Sequence, residues 1–270
     1  ISAWPTRSRL SHKGSYGHVW IFGGSPGLTG APKLAGLGAY AAGAGLASIA
    51  CSDDVWPVIA AANLEVMSHP QSSTDWQQGD AIIAGPGWGK GNGDLLCALL
   101  ASDKPLLLDA DALNIVADDA AIQEQLKKRQ QHTSAITVIT PHPGEAARLL
   151  GKTVDEIQAD RKQSVLALTD RYACWVVLKG SETLIASPNK DIFLNPFGSA
   201  QLAVAGSGDV LAGMIAAQLA KGNGDPGMLI SSAVALHGKA GERSGWYLAG
   251  ELAKVAADVR QLIEQDGKIH

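Results

Sequence analysis

The sequence predicts an α/β fold, with a mostly parallel central sheet, helices on both faces and a small antiparallel edge. Three observations predict it. Short apolar runs alternate with longer helical stretches, the pattern of a parallel sheet covered on both sides. Five of those runs end in a polar or glycine-rich turn, at Gly23, Gly85, Asp109, His142 and Lys179. One pair of short runs, 183–186 and 192–194, flanks Pro188-Asn189 and reads as a hairpin. With 270 residues, 46% of them hydrophobic and 18% charged, the chain can bury one sizeable core.

In chain order, the apolar run 18–22 is a buried strand closed by Gly23-Gly24. The loop 25–30 leads into a small-residue helix over 31–44, which Gly45 stops before a strand at 46–50. A strand at 81–84 enters the glycine turn Gly85-Pro86-Gly87-Trp88-Gly89. Strands at 106–108, 136–139 and 175–178 are separated by helices over 120–130 and 161–172, with a further helix over 94–101. Val210, Leu211, Met214, Ile215 and Leu219 recur at helical spacing up to Gly222. Helices over 228–243 and 251–265 close the chain. No repeat, low-complexity tract or linker interrupts it, so residues 1–270 read as a single domain.

Bulk properties exclude several function classes. A net charge of -4 makes no electrostatic case for nucleic acid or an anionic membrane, and 5% aromatics leave few base-stacking platforms. Cys51, Cys97 and Cys174 are an odd, scattered set, neither a disulfide framework nor a metal cluster, which points to a reducing, cytoplasmic setting. Residues 1–13 are polar and basic, without the apolar stretch of a signal peptide. The longest uncharged run, 34–52, contains four glycines and reads as helix, turn and strand, not as a membrane span. A start at Ile instead of Met suggests a piece of a longer protein. No P-loop, GxSxG, HExxH, CxxC or EF-hand pattern occurs, and the 85–90 run misses GxGxxG at its sixth position. The seven histidines, His270 included, show no metal-ligand spacing.

What remains is a set of turns. Gly206-Ser207-Gly208-Asp209 opens an apolar helix, so backbone N–H groups and the positive dipole end face one spot, an anion site. Asp209 either handles a proton there or only complements the dipole. Lys179-Gly180-Ser181-Glu182-Thr183 follows a buried strand; Lys179 either meets a phosphate or is a solvated lysine in a hairpin turn. His142 and Glu145, set among Pro141 and Pro143, either serve a polar substrate and a metal-bound water or cap a helix. Asp109 and Asp111 could hold Mg²⁺, and Asp111 could equally cap the helix that follows. Asn195-Pro196-Phe197-Gly198 reads as a plain turn. In an open parallel sheet all of these strand-end turns converge on one cleft.

Seven segments carry a family resemblance: KGSYGH at 13–18, GAYAAGAGL at 38–46, GPG at 85–87, DADAL at 109–113, TPHPGE at 140–145, KGSET at 179–183 and AGSGDVLAG at 205–213. In this order they span nearly the whole chain. The set resembles the ADP-dependent (S)-NAD(P)H-hydrate dehydratases, the C-terminal kinase-like domain of YjeF-type proteins in the ribokinase-like superfamily. The resemblance implies a ribokinase-like three-layer sandwich and a repair reaction. Its substrates are NADHX and NADPHX, nicotinamide cofactors hydrated on the ring. ADP, or ATP in some members, is the phosphoryl donor, with Mg²⁺, and AMP and phosphate are released. It also implies a homotetramer, and a fused N-terminal epimerase in many members, in keeping with the start at Ile1.

Carried over by position, the resemblance makes Asp209 the base, and Gly206, Ser207 and Gly208 the cradle of the transferring phosphoryl group. Lys179, Gly180, Ser181, Glu182 and Thr183, with Gly208, would bind the nucleotide. Ala39, Gly87, His142 and Asp209 would contact the hydrate, and Glu145 would order a water on the metal. Ala41 and Ala42 stand where many members have a larger or basic residue, and Ser181-Glu182 where smaller residues are expected. The rival readings are a small-molecule kinase of the same superfamily, which releases a stable phosphorylated product, and a nucleotide-binding module without catalysis.

Overall fold

The computed structural model describes residues 7–61, 64–222 and 224–266; Ile1 and His270 lie outside them. Nine strands form one sheet: β1 (His18–Phe22), β2 (Leu46–Cys51), β3 (Met67–Pro70), β4 (Ala81–Ala84), β5 (Leu106–Leu108), β6 (Thr137–Ile139), β7 (Trp175–Leu178), β8 (Leu184–Ala186) and β9 (Ile192–Leu194). Their spatial order is β3-β2-β1-β4-β5-β6-β7-β8-β9. β1 to β7 run parallel, and β8 and β9 add the antiparallel edge. β3 is the strand that sequence reasoning missed. It is a half-exposed edge strand that carries Ser68 and His69 and ends at Pro70, so it shows neither a buried run nor clean alternation.

The helices are α1 (Gly30–Ala41), α2 (Trp56–Ala61), α3 (Gly93–Leu100), α4 (Asp111–Asp118), α5 (Ala120–His132), α6 (Pro143–Leu150), α7 (Val154–Ala159), α8 (Arg161–Tyr172), α9 (Ser207–Ala220), α10 (Pro226–Gly241) and α11 (Ala249–Asp266). Strand alternation feeds two cores. Val19, Ile21, Ile49, Ile83 and Leu107 pack with α1, α9, α10 and α11. Trp20, Phe22, Ile82, Leu106 and Leu108 pack on the other face with α3 to α8. The result is the three-layer sandwich expected. Among the described residues, no helix is long and apolar enough to cross a membrane.

Two features of this frame position the site. The chain turns from β1 to β2 and β3 on one side and then to β4 on the other, so the crevice opens at the carboxyl ends of β1 and β4. There Gly24 N–H donates to Pro86 O at 3.1 Å, and a Cβ on Gly23 would stand 2.2 Å from the same oxygen. Second, α9 lies in the core, with residues 210–220 all buried. Its backbone touches that of α1: a Cβ on Gly213 would lie 1.9 Å from Ala35 O, and one on Gly38 would lie 2.1 Å from Val210 O. The small residues of α1 thus serve close packing, and that packing sets where α9 begins. Gly213→Ala should cost about 1–3 kcal/mol by forcing the two helices apart; a lower urea midpoint at unchanged m-value is the expected reading.

Candidate active site

α9 starts from Gly206 in the left-handed region, φ 90°, a conformation that favours glycine. A Cβ there would also meet Leu34 Cδ1 at 2.3 Å. Ser207 is turned inward: its N–H donates to Val204 O at 3.2 Å and its hydroxyl to Leu202 O at 2.8 Å. Val210 N–H reaches back to Gly206 O at 3.1 Å. The N–H groups of Gly208 and Asp209 therefore have no partner among the described residues and face outward at the positive end of the helix. Beneath the turn, the buried His237 on α10 lies 3.0 Å from Ser207 O through Nε2. Burial pushes its pKa down to about 4, so it is neutral and its Nε2–H donates. Nothing in the sequence marked this histidine, which sits inside an apolar helix.

Lys179 closes the other side of the turn. Its Nζ is 2.7 Å from Asp109 Oδ1 and 3.8 Å from Glu145 Oε2, and only 17% of the side chain is exposed. It is no solvated surface lysine. Burial works to lower its pKa, but Asp109 and Glu145 outweigh burial and the amine stays charged, with its pKa raised. A Cβ on Gly208 would stand 3.4 Å from Lys179 Nζ, so the ammonium lies beside Gly208 at the start of α9. Asp209, in the first turn of α9, feels the opposite balance. Burial, then Asp109, push its pKa up; Lys179 pulls it down, and Glu145 and Asp111 push it up further, to about 7. A carboxyl near neutrality beside an anion site is suited to accept a proton.

The capping reading of the 140–145 turn holds in the structure. His142 is the N-cap of α6, with Nδ1 accepting from Gly144 N–H at 3.0 Å and Glu145 N–H at 3.3 Å. Burial and the nearby Lys179 lower its pKa. The neutral ring then carries its proton on Nε2, 3.4 Å from Glu145 Oε1, on a half-exposed side chain that borders the cavity described below. Glu145 returns the cap, accepting His142 N–H at 2.7 Å. Burial raises its pKa, with Lys179 opposing. Beyond the cap, its Oε2 lies 3.8 Å from Lys179 Nζ and its Oε1 3.4 Å from His142 Nε2. Asp111 does not cap α4: the N-cap is Ala110, and Asp111 Oδ2 accepts Gly89 N–H at 2.8 Å, pinning the glycine turn.

A cavity of about 700 Å³ adjoins the α9 start. Lys179, Gly180, Ser181, Glu182 and Thr183 form one wall, and residues 195–200, 202 and 203 with Val234, His237 and Gly238 form the others. The segment read as a plain turn at Asn195 is thus a wall of the cavity. Arg161, which sequence reasoning also missed, donates to Leu178 O at 3.1 Å and Lys179 O at 3.4 Å and so holds the 179–183 loop from behind. Glu182 takes φ 55° within that loop.

A family model for NAD(P)H-hydrate dehydratase matches residues 19–252. The chain belongs to that family. It is 40% identical over 271 residues to the ADP-dependent (S)-NAD(P)H-hydrate dehydratase of Neisseria meningitidis serogroup B, covering 95% of this chain and 89% of that protein. The crystal structure of the ADP/ATP-dependent NAD(P)H-hydrate dehydratase from Bacillus subtilis, co-crystallized with ATP/Mg²⁺, superposes with a TM-score of 0.83 at 33% identity, covering 97% of this chain and 95% of that one. Against the bifunctional NAD(P)H-hydrate repair enzyme Nnr of Coxiella burnetii the chain is 36% identical over 224 residues, 80% of its own length, and spans 44% of that protein. The fold is ribokinase-like, as the resemblance implied.

Within this dehydratase fold one residue expected at the substrate is buried. Ala39, placed by resemblance on the substrate, is 0% exposed. Its backbone N lies 2.7 Å from where a Cβ on Gly213 would stand, inside the α1–α9 contact, and it offers no surface to a ligand. Two turns earlier on the same helix, Ala31 is partly exposed beside Gly87: a Cβ on Gly87 would meet Ala31 Cβ at 3.2 Å and Leu28 O at 2.6 Å. Gly87 itself takes φ 58°. Ala31 is therefore the alanine of α1 that can border the crevice.

Proposed function

We propose that the chain dehydrates (6S)-NADHX and (6S)-NADPHX to NADH and NADPH, with ADP as phosphoryl donor and AMP and phosphate as by-products. One observation carries this reading: two unbonded N–H groups, a buried ammonium and a carboxyl with a pKa near neutrality meet at the start of α9. Family membership supplies the substrate class.

ADP occupies the cavity against 179–183, and its β-phosphoryl group lies on the N–H groups of Gly208 and Asp209 beside Lys179. Gly206 supplies the turn and Ser207 anchors it. The hydrate lies on the Gly87 and Ala31 side, with His142 Nε2–H as a donor to it. Asp209 takes the proton of the ring hydroxyl as that oxygen attacks the β-phosphorus. The new O–P bond forms as the bond to AMP breaks, and AMP leaves with the electron pair. Hydroxide is a poor leaving group and phosphate a good one. The lone pair of the ring nitrogen expels phosphate with the C–O electron pair, and the neighbouring ring carbon loses a proton to restore the double bond. This chemistry asks for position and charge stabilisation more than covalent help, which is what the site offers.

Among the described residues no group of three or more His, Cys, Asp or Glu side chains could hold a metal ion, and Asp109 and Glu145 are engaged with Lys179. These residues form no all-protein cage for magnesium; an ion that serves this site would be held by the nucleotide phosphates, with Glu145 reaching it through water. Incubating the purified chain with hydrated cofactor, with and without ADP, tests the reading. Recovery of the reduced-nicotinamide absorbance only with ADP is expected. A stable phosphorylated hydrate without recovery would indicate a kinase instead.

A further inference from the structure

Asp109 has no part in the steps above, yet it is the more deeply buried of the two acids that face Lys179, 2% exposed against 8% for Glu145. Its backbone is held from both sides. The N–H donates to Ala84 O at 3.0 Å, and the carbonyl accepts Ala112 N–H at 3.1 Å. Gly85 approaches so closely that a Cβ there would stand 1.7 Å from Asp109 O. From this fixed point Oδ1 takes Lys179 Nζ at 2.7 Å, joining residues 70 positions apart. The same Nζ lies 3.4 Å from the site of a Gly208 Cβ. A rigid line thus runs from the β4 turn through Asp109 and Lys179 to the start of α9.

A carboxylate this close to an anion site weakens the site's hold on phosphate, so the pair needs a reason to be here. Lysine has a long flexible stem, and an unanchored ammonium would swing into the open cavity to find water. We propose that Asp109 is a positioning residue for phosphoryl transfer, holding the Lys179 ammonium over the N–H groups of Gly208 and Asp209, where charge develops on the transferring group. This rests on the function proposed above. The other charged groups that face Asp209 are Glu145 from α6 and Asp111 from α4.

Asp109→Asn tests it, since the amide keeps the shape and an acceptor but loses the charge. The expected kcat falls by at least about tenfold, with KM for the hydrate changed by less than about threefold. In a Lys179→Met background the same substitution should cost less than about threefold more, because its effect runs through the lysine. The acid limb of the kcat–pH profile should also move to lower pH, as a negative charge beside Asp209 is removed. Wild-type turnover in the same assay stands as the check on the reaction itself: if wild type restores no reduced cofactor, the proposed function fails and not merely this role. Full kcat in folded Asp109→Asn, or an equal loss with and without Lys179, would overturn the role. Asp109→Glu, which keeps the charge and displaces the amine, should fold and lose kcat. If neither variant folds, Asp109 is a folding residue and the role is again overturned.

Discussion

Asp209→Asn is expected to fold, bind ADP and turn over roughly 10²–10⁴-fold more slowly than wild type, the usual loss when a general base is removed. The isosteric amide leaves the α9 turn and its two N–H groups in place, so KM values should stay near wild type while kcat collapses. For wild type the base must be ionised. With its pKa pushed to about 7, kcat should fall with decreasing pH below that value and level off above it. Stability should run the other way. A carboxyl of raised pKa holds its proton longer in the folded chain than in the unfolded one, so it costs nothing below pH about 4. As pH climbs to about 7 the folded state must ionise a buried acid, and stability is lost. Asp209→Asn escapes that cost and should be more stable than wild type above pH 7, by up to roughly 4 kcal/mol, with no difference at pH 4. A thermal melt at both pH values reads it. A variant that is more stable and inactive is what a strained catalytic acid predicts, and a merely structural one does not.

Lys179→Met should damage both stability and function. The substitution fills similar space but leaves Asp109 and Glu145 facing one another without a cation. Losing one partner of a buried charge cluster costs about 3–5 kcal/mol. The loss should be greater at alkaline than at acidic pH, because Glu145, whose pKa burial raises, must then ionise with no cation beside it; urea unfolding on the two sides of neutrality separates them. Function should fail differently from Asp209→Asn: with the ammonium gone from beside Gly208, KM for ADP rises as well as kcat falling.

Much of this site could be read along the chain because strand-end turns advertise themselves. Gly23, Gly85, Asp109, His142 and Lys179 each follow a short apolar run, and the topology gathers them at one edge. The Gly206–Asp209 turn was visible for the same reason, as glycines followed by an apolar helix. What stayed hidden was the pairing. Nothing local tells Lys179 that its partner is Asp109, 70 residues away, instead of solvent. Arg161 and His237 act from helices whose sequence reads as ordinary, and their roles come from which backbone carbonyl lies opposite. The burial of Ala39 was not legible either. Ala31 and Ala39 are eight positions apart in a run of small residues, and only the contact with Gly213 shows that Ala39 belongs to the helix–helix seam. The edge strand β3 escaped because Ser68, His69 and Pro70 carry none of the signals of a buried strand.

The central claim is that the ring hydroxyl leaves as phosphate after accepting a phosphoryl group from ADP. Labelling that hydroxyl with oxygen-18 and analysing the released phosphate by mass spectrometry tests it most directly. The account predicts one labelled oxygen in the phosphate for each cofactor restored. Unlabelled phosphate, with the label recovered in water, would contradict it.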